Sequence, residues 1–162
     1  MLLLSLFYDL NTRTMLLKQS IVLLLLSLGT STFAQSPMKV ANYAYGQPGT
    51  DTYEAFSFWV KNEKRATIDY TYGKDRKETP LQFVGKSQPG SKAGFMVQFP
   101  NHYTLYVTPL GNQLQVVDEQ KKYRKTFSWQ YEGPVNGVGT FCDVCAQDEK
   151  EAMRLIQQYY LK

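Results

Sequence analysis

Phe56-Ser57-Phe58-Trp59-Val60, Lys61-Asn62-Glu63-Lys64, Thr67-Ile68-Asp69-Tyr70-Thr71-Tyr72 and Gly73-Lys74-Asp75 follow one another in the chain and decide its fold. In the first run Phe56, Phe58 and Val60 alternate with Ser57 and Trp59, and in the third Ile68, Tyr70 and Tyr72 alternate with Thr67, Asp69 and Thr71. A period of two puts each set on one face of a strand, and the polar quartet and the Gly-Lys-Asp break turn the chain between strands. The unit is a hairpin.

The same grammar runs on both sides of it. A first strand is expected at Val40 to Tyr45. Further strands are predicted at Leu81 to Val84, Gly94 to Phe99, Tyr103 to Val107, Gln113 to Val117 and Tyr123 to Tyr131. The breaks between them are the loop Gly85 to Ser91, Pro100-Asn101, the turn Pro109 to Asn112 and the turn Asp118 to Lys121. In the last strand Tyr123, Lys125, Phe127, Trp129 and Tyr131 share one face, opposite Arg124, Thr126, Ser128 and Gln130. Seven or eight strands joined by hairpin-length connections, with no helical crossover, exclude a parallel sheet. The class is therefore mainly β, an antiparallel up-and-down meander. A barrel would remove the edges that a meander leaves exposed, so the expectation is a small barrel or curled sheet. On strand count alone this resembles the lipocalin-like architecture, although the Gly-x-Trp sequence that lipocalins carry near the first strand has no counterpart here.

After Tyr131, the stretch Glu132 to Gly139 holds three glycines and a proline and reads as a loop. The period then changes. Thr140 followed by Asp143 fits a capping pattern, Asp148, Glu149 and Glu151 are acidic early on, and Arg154 and Lys162 come late, as a helix dipole favours. The spacing predicts a helix over about 141–161, with Cys142, Cys145, Glu149, Ala152, Ile156 and Tyr159 along one stripe.

Upstream of the β-region, Met15 to Ser20 carries Lys18, Ile21 to Leu28 is apolar except for Ser27, and Gly29 to Ala34 is rich in small residues. This is the order of a secretory signal peptide, with the cut expected after Ala34. The apolar run is too short for a hydrocarbon core that takes about 20 residues. Residues 1–14 read as an upstream start assigned too early. No cysteine follows the cut, so a lipoprotein anchor is not expected, and no stable membrane anchor is expected after cleavage. Losing 34 of the 162 residues leaves one domain, 35–162, and losing Arg13, Lys18 and Asp9 lowers the net charge from +4 to +3. The basic clusters Lys74, Arg76, Lys77 and Lys121, Lys122, Arg124, Lys125 fall in expected turns, so nucleic acid is not an expected partner. The expected compartment is periplasmic or extracellular.

Cys142 and Cys145 are the only cysteines. In an oxidising compartment a disulfide is the favoured reading, stapling the first helical turn. A redox pair helped by a helix N-terminus competes with it, but only seventeen residues follow Cys145, too few for a thioredoxin scaffold. No metal is expected: a closed zinc site needs four ligands, and the single histidine, His102, sits in a distant turn. Ala146 follows the second cysteine where c-type haem would need histidine, and no other cofactor is indicated. His102 also stands alone as a catalytic base, with no nucleophile motif beside it. Asp69, Glu54 and Glu119 are the carboxylates that folding could pair for glycoside hydrolysis.

The aromatic residues are the remaining feature, with 12 tyrosines, 9 phenylalanines and 2 tryptophans. Phe56, Phe58, Tyr70 and Tyr72 are expected to share the interior, while Trp59 and Tyr106 point outward, where the helix could cover them. Candidate ligand-binding residues are Phe58, Trp59, Tyr70, Tyr72, Tyr106 and Trp129. The expected function is a non-catalytic exported domain, of the lipocalin-like or small-inhibitor kind, that binds a small apolar, sugar or peptide ligand or an envelope protein. The alternatives are a thiol-disulfide or metal-handling protein acting through Cys142 and Cys145, and an accessory domain of cell-envelope machinery.

Overall fold

The computed structural model describes residues 38–87, 93–131 and 142–162. The expected signal peptide, the loop 132–139 and the expected helix start at Thr140 and Phe141 lie outside the described residues. Eight strands form a closed antiparallel barrel in which each strand pairs with the next and β8 returns to β1. They are β1 (Met38–Tyr45), β2 (Glu54–Lys61), β3 (Lys64–Tyr72), β4 (Lys77–Ser87), β5 (Gly94–Gln98), β6 (Thr104–Leu110), β7 (Gln113–Asp118) and β8 (Arg124–Gln130). One helix, α1 (Glu149–Tyr159), follows among the described residues.

The alternation read from the sequence sets what fills the barrel. Register pairs Tyr43 with Phe56, Phe56 with Tyr70, and Phe58 with Ile68, so these residues share the inner face. Phe95, Val97, Leu105, Val107, Leu114, Val116 and Phe127 join them from the other strands. Phe58 stands edge-on to Phe95 at 5.7 Å and Phe56 edge-on to Phe127 at 4.9 Å, the offset geometry that ring quadrupoles favour. An eight-stranded barrel is just wide enough for side chains to fill it, and here they do. Burying each ring contributes about 1.5–3 kcal/mol.

Several element boundaries differ from expectation. β4 continues through Gly85 to Ser87 instead of ending at Val84, because these residues pair with Gly94 to Met96. An extra residue at Val84 bulges the strand there and leaves that side chain exposed. β6 runs through Pro109 to Leu110, so the turn between β6 and β7 is only Gly111-Asn112, with Gly111 at a φ of +62°. β1 also begins earlier and β2 is longer than the alternation alone suggested.

The largest correction concerns the helix. It begins at Glu149, not near Phe141, and Cys142 and Cys145 precede it. The Val40 N–H donates to the Val144 carbonyl at 2.9 Å, and the Ala146 N–H donates to the Val40 carbonyl at 2.8 Å. A helix through 141–148 would need those same groups for its own ladder. Pairing with the barrel wins. The actual cap is Asp148, whose carboxylate accepts the Glu151 N–H at 2.7 Å, while Glu151 accepts the Gln147 N–H at 2.7 Å.

α1 crosses one end of the barrel instead of lying on its outer wall. Its first residue, Glu149, accepts a hydrogen bond from Asn112 in the β6–β7 turn, and Lys39 at the start of β1 pairs with Glu151 at 3.5 Å. At its other end the Tyr159 carbonyl accepts from Arg65 of β3, and the Tyr160 hydroxyl donates to the Trp59 carbonyl at 2.8 Å. These anchors lie on opposite sides of the barrel. Ala152, Met153, Leu155 and Ile156 face the core, and the Tyr160 ring drops in beside Phe58, Phe83 and Phe95.

Candidate binding mouth

The end away from the helix is built from four connections, residues 46–53, 73–76, 99–103 and 119–123. The inner face rises to it in a register row, Tyr45 opposite Glu54 and Glu54 opposite Tyr72. β8 brings Lys125 to the same face two residues before Phe127, and Tyr123 precedes it in the turn.

Glu54 is only 9 % exposed, and a buried carboxylate must be compensated. Lys125 Nζ pairs with its Oε1 and the Tyr123 hydroxyl donates to its Oε2. The Tyr70 hydroxyl lies beside the same carboxylate, and both phenols are held well above the ordinary tyrosine range, by burial first and by Glu54 next. The Lys125 ammonium also sits 4.7 Å from the Tyr45 ring centre and 5.1 Å from that of Tyr123. Asp118, buried at the end of β7, accepts the Tyr123 N–H at 3.0 Å and stands by Tyr103, whose hydroxyl is raised by burial and then by this carboxylate.

Above this floor is an aromatic rim. Tyr45, Tyr72 and Tyr103 are each 40–43 % exposed, so their rings reach solvent, while Tyr70, Phe99 and Tyr123 beneath them are half-buried and Phe56 and Phe127 are buried. They are tied to the core by ring contacts: Tyr72 stacks on Tyr70 at 6.0 Å, Tyr70 meets Phe99 at 5.1 Å, and Phe99 meets Tyr103 at 5.9 Å. Tyr45 meets Phe127 at 6.0 Å. The rim rings are therefore positioned from below. Outside the wall, a shallow groove of about 360 Å³ runs past Pro80, Gln82, Gln98, Phe99 and His102.

Of the residues the sequence singled out for binding, Tyr70 and Tyr72 meet at this mouth. Phe58 is fully buried in the core against Tyr160. Trp59 lies on the outer wall, its indole N–H donating to Asp69 at 2.9 Å, and Tyr106 occupies the outer wall of β6 opposite Met96 and Val117. Trp129 sits near the helix end, opposite Tyr43 in β1. Asp69 and Glu54 occupy opposite faces of the wall and form no catalytic pair. Lys125, Tyr123, Tyr45 and Tyr103 are not among the residues the sequence points to for binding, and Glu54 is among them only as a carboxylate for glycoside hydrolysis. A readable signal existed for two of them: Glu54 and Lys125 fall on aromatic faces by parity, and a charge among inward rings needs a partner.

Cys142 and Cys145 form a disulfide with Cα atoms 5.3 Å apart. The bridge closes the turn in which the Cys145 N–H donates to the Cys142 carbonyl at 3.2 Å, so it staples the segment that docks on β1, not a helical turn. Asn42 Nδ2 points at Cys145 Sγ from 3.7 Å, and Cys145 is buried. Such a bond is compatible with an oxidising, exported compartment. Among the described residues no group of three or more potential metal ligands occurs, and no helix is long and apolar enough to cross a membrane. Comparison of the chain with protein-family models, with characterised proteins and with solved structures finds no match.

Proposed function

We propose that this protein is exported with cleavage after Ala34 and acts there as a non-catalytic binding domain whose ligand seats on the tyrosine mouth. One observation carries the reading: three solvent-reaching tyrosines stand around the end that α1 does not cross, fixed by ring contacts to a rigid core. Holding aromatic anchors in place before binding reduces the ordering cost of capture. The lipocalin manner of binding, inside the barrel, is disfavoured because Phe56, Phe58, Phe95 and Phe127 occupy that space. A structural role for the disulfide is favoured over thiol exchange because the bridge closes a turn pinned to Val40 on both sides, and because α1 starts only at Glu149, so no helix N-terminus stands at Cys142 to stabilise a thiolate.

The test is amide-shift mapping by NMR on residues 35–162, titrated with a library of oligosaccharides, short peptides and fatty acids. Shifts gathered in residues 46–53, 72–76, 99–103 and 118–125 are expected. Shifts confined to the helix end, or none with any compound, overturn the reading. For export, mass measurement of protein recovered from the medium or envelope is expected to show Gln35 as the first residue; retention of residues 15–34 overturns it.

A further inference from the structure

We infer that the ligand class of the mouth is an uncharged saccharide, stacked on Tyr72 and Tyr103 and hydrogen-bonded by the phenols around the Glu54–Lys125 pair. The inference rests on the mouth being the binding site and goes on to the chemistry it can accept.

Charge decides between classes. A carboxylate beneath aromatic rings is a seat for a cation, but that seat is taken: the Lys125 ammonium pairs with Glu54 and lies over Tyr45 and Tyr123. An incoming ammonium would have to displace an ion already joined to the same barrel. An anion would meet Glu54 and Asp118, both buried in the floor, while the one floor cation is already neutralised. The four connections carry Lys74, Arg76, Lys121 and Lys122 against Asp51, Asp75 and Glu119, and with Glu54, Asp118 and Lys125 of the floor the mouth holds five cations and five carboxylates, hence no net charge. Neither ion is favoured.

What the mouth does offer is ring faces and hydroxyls. Tyr123 gives its hydroxyl proton to Glu54 and Tyr70 lies beside the same carboxylate, so the floor offers a ligand the remaining lone pairs of these phenols, acceptors for the hydroxyls of a sugar. Tyr72 and Tyr103 provide exposed rings held from below by Tyr70 and Phe99. A purely apolar ligand would cut the remaining acceptor lone pairs of the mouth off from water, which is costly. A sugar ring matches both features, since it carries apolar C–H faces and a girdle of hydroxyls.

The experiment is affinity electrophoresis of the native domain in gels containing laminarin, dextran or hydroxyethylcellulose, with heparin gels and free choline as the charged probes. Retardation is expected in at least one neutral gel, unchanged by added salt, and about 3- to 10-fold weaker binding for Tyr72→Ala and for Tyr103→Ala. Tyr106→Ala, on the outer wall, is expected to bind as the parent does, and equal melting temperatures certify that the variants fold. Retardation only in heparin, relieved by salt and by the two rim variants, overturns the uncharged class while leaving the mouth as the site. Neutral-gel retardation that ignores both rim variants overturns both. No retardation in any neutral gel overturns the saccharide inference, and the amide-shift map then reports separately on the mouth.

Discussion

Lys125 is worth more to this fold than an ordinary surface lysine, because its partner Glu54 is nearly out of solvent. Removing one member of such a pair leaves the other buried and uncompensated. Lys125→Met is expected to destabilise the domain by about 2 kcal/mol, less than for a wholly buried pair because Lys125 keeps some contact with water. The double variant with Glu54→Leu is expected to recover most of that loss. Urea unfolding midpoints of the two variants check this; equal loss in both would mean that packing, not the unpaired charge, is responsible. At this scale the sequence is legible only by parity. Glu54 lies two positions before Phe56, and Lys125 lies between Tyr123 and Phe127, so their inward direction could be read. That they reach one another across the mouth could not, since β2 and β8 are separated by β1 on one side and five strands on the other.

Among elements, α1 shows how a local signal is overruled by a distant one. Thr140 and Asp143 make a plausible start, yet Asp148-x-x-Glu151 carries the same pattern and is the one used. The choice is made by Val40, whose N–H and carbonyl claim the backbone of residues 144 and 146. This matters because the β1–β8 seam is short, only Asn42 to Ala44 against Gln130 to Ser128, and the disulfide turn extends the covering of β1 beyond it. Cys142→Ser with Cys145→Ser is expected to cost about 1–2 kcal/mol, the low end for disulfides because the loop is so short. Thermal melting with and without reductant measures it, and faster amide exchange at Val40 and Ala146 is the local signature. Unaltered exchange there would sink the latch role. Asp148→Ala is expected to cost about 1 kcal/mol as a lost N-cap.

At the scale of the whole molecule, the meander was legible because turn residues recur between alternating runs, and closure was expected from the edges it removes, with a curled sheet left open beside it because joining β8 to β1 uses the two ends of the β-region. Closure buries tyrosines so deeply that the domain acquires a pH limit. Tyr43, Tyr70, Tyr123 and Tyr160 all have hydroxyls raised above the usual tyrosine value of 10.0, by burial foremost. With the folded value raised, both states are protonated below the unfolded value and stability there is unaffected. Above it the unfolded chain sheds protons that the folded one keeps. Stability is therefore expected to fall as pH rises beyond about 10, by up to about 1.4 kcal/mol per pH unit for each such tyrosine. Tyrosinate absorbance should appear together with loss of the β signal in circular dichroism; gradual ionisation with the barrel intact would contradict the burial argument.

The helix end also gathers both extremities of the folded domain, for β1 starts there at Met38 and the chain passes Tyr160 there to Lys162. Among the described residues the opposite end is made of turns between strands. A tether, tag or fused partner joined before β1 or after Lys162 thus leaves the four mouth turns unencumbered and facing away from the support. The exposed tips of those turns, such as Gln47 to Gly49 and Lys74-Asp75, can be lengthened while Tyr53, Phe99, Tyr103 and Tyr123 keep their places against the strands, which makes the barrel a carrier onto which other recognition loops can be grafted.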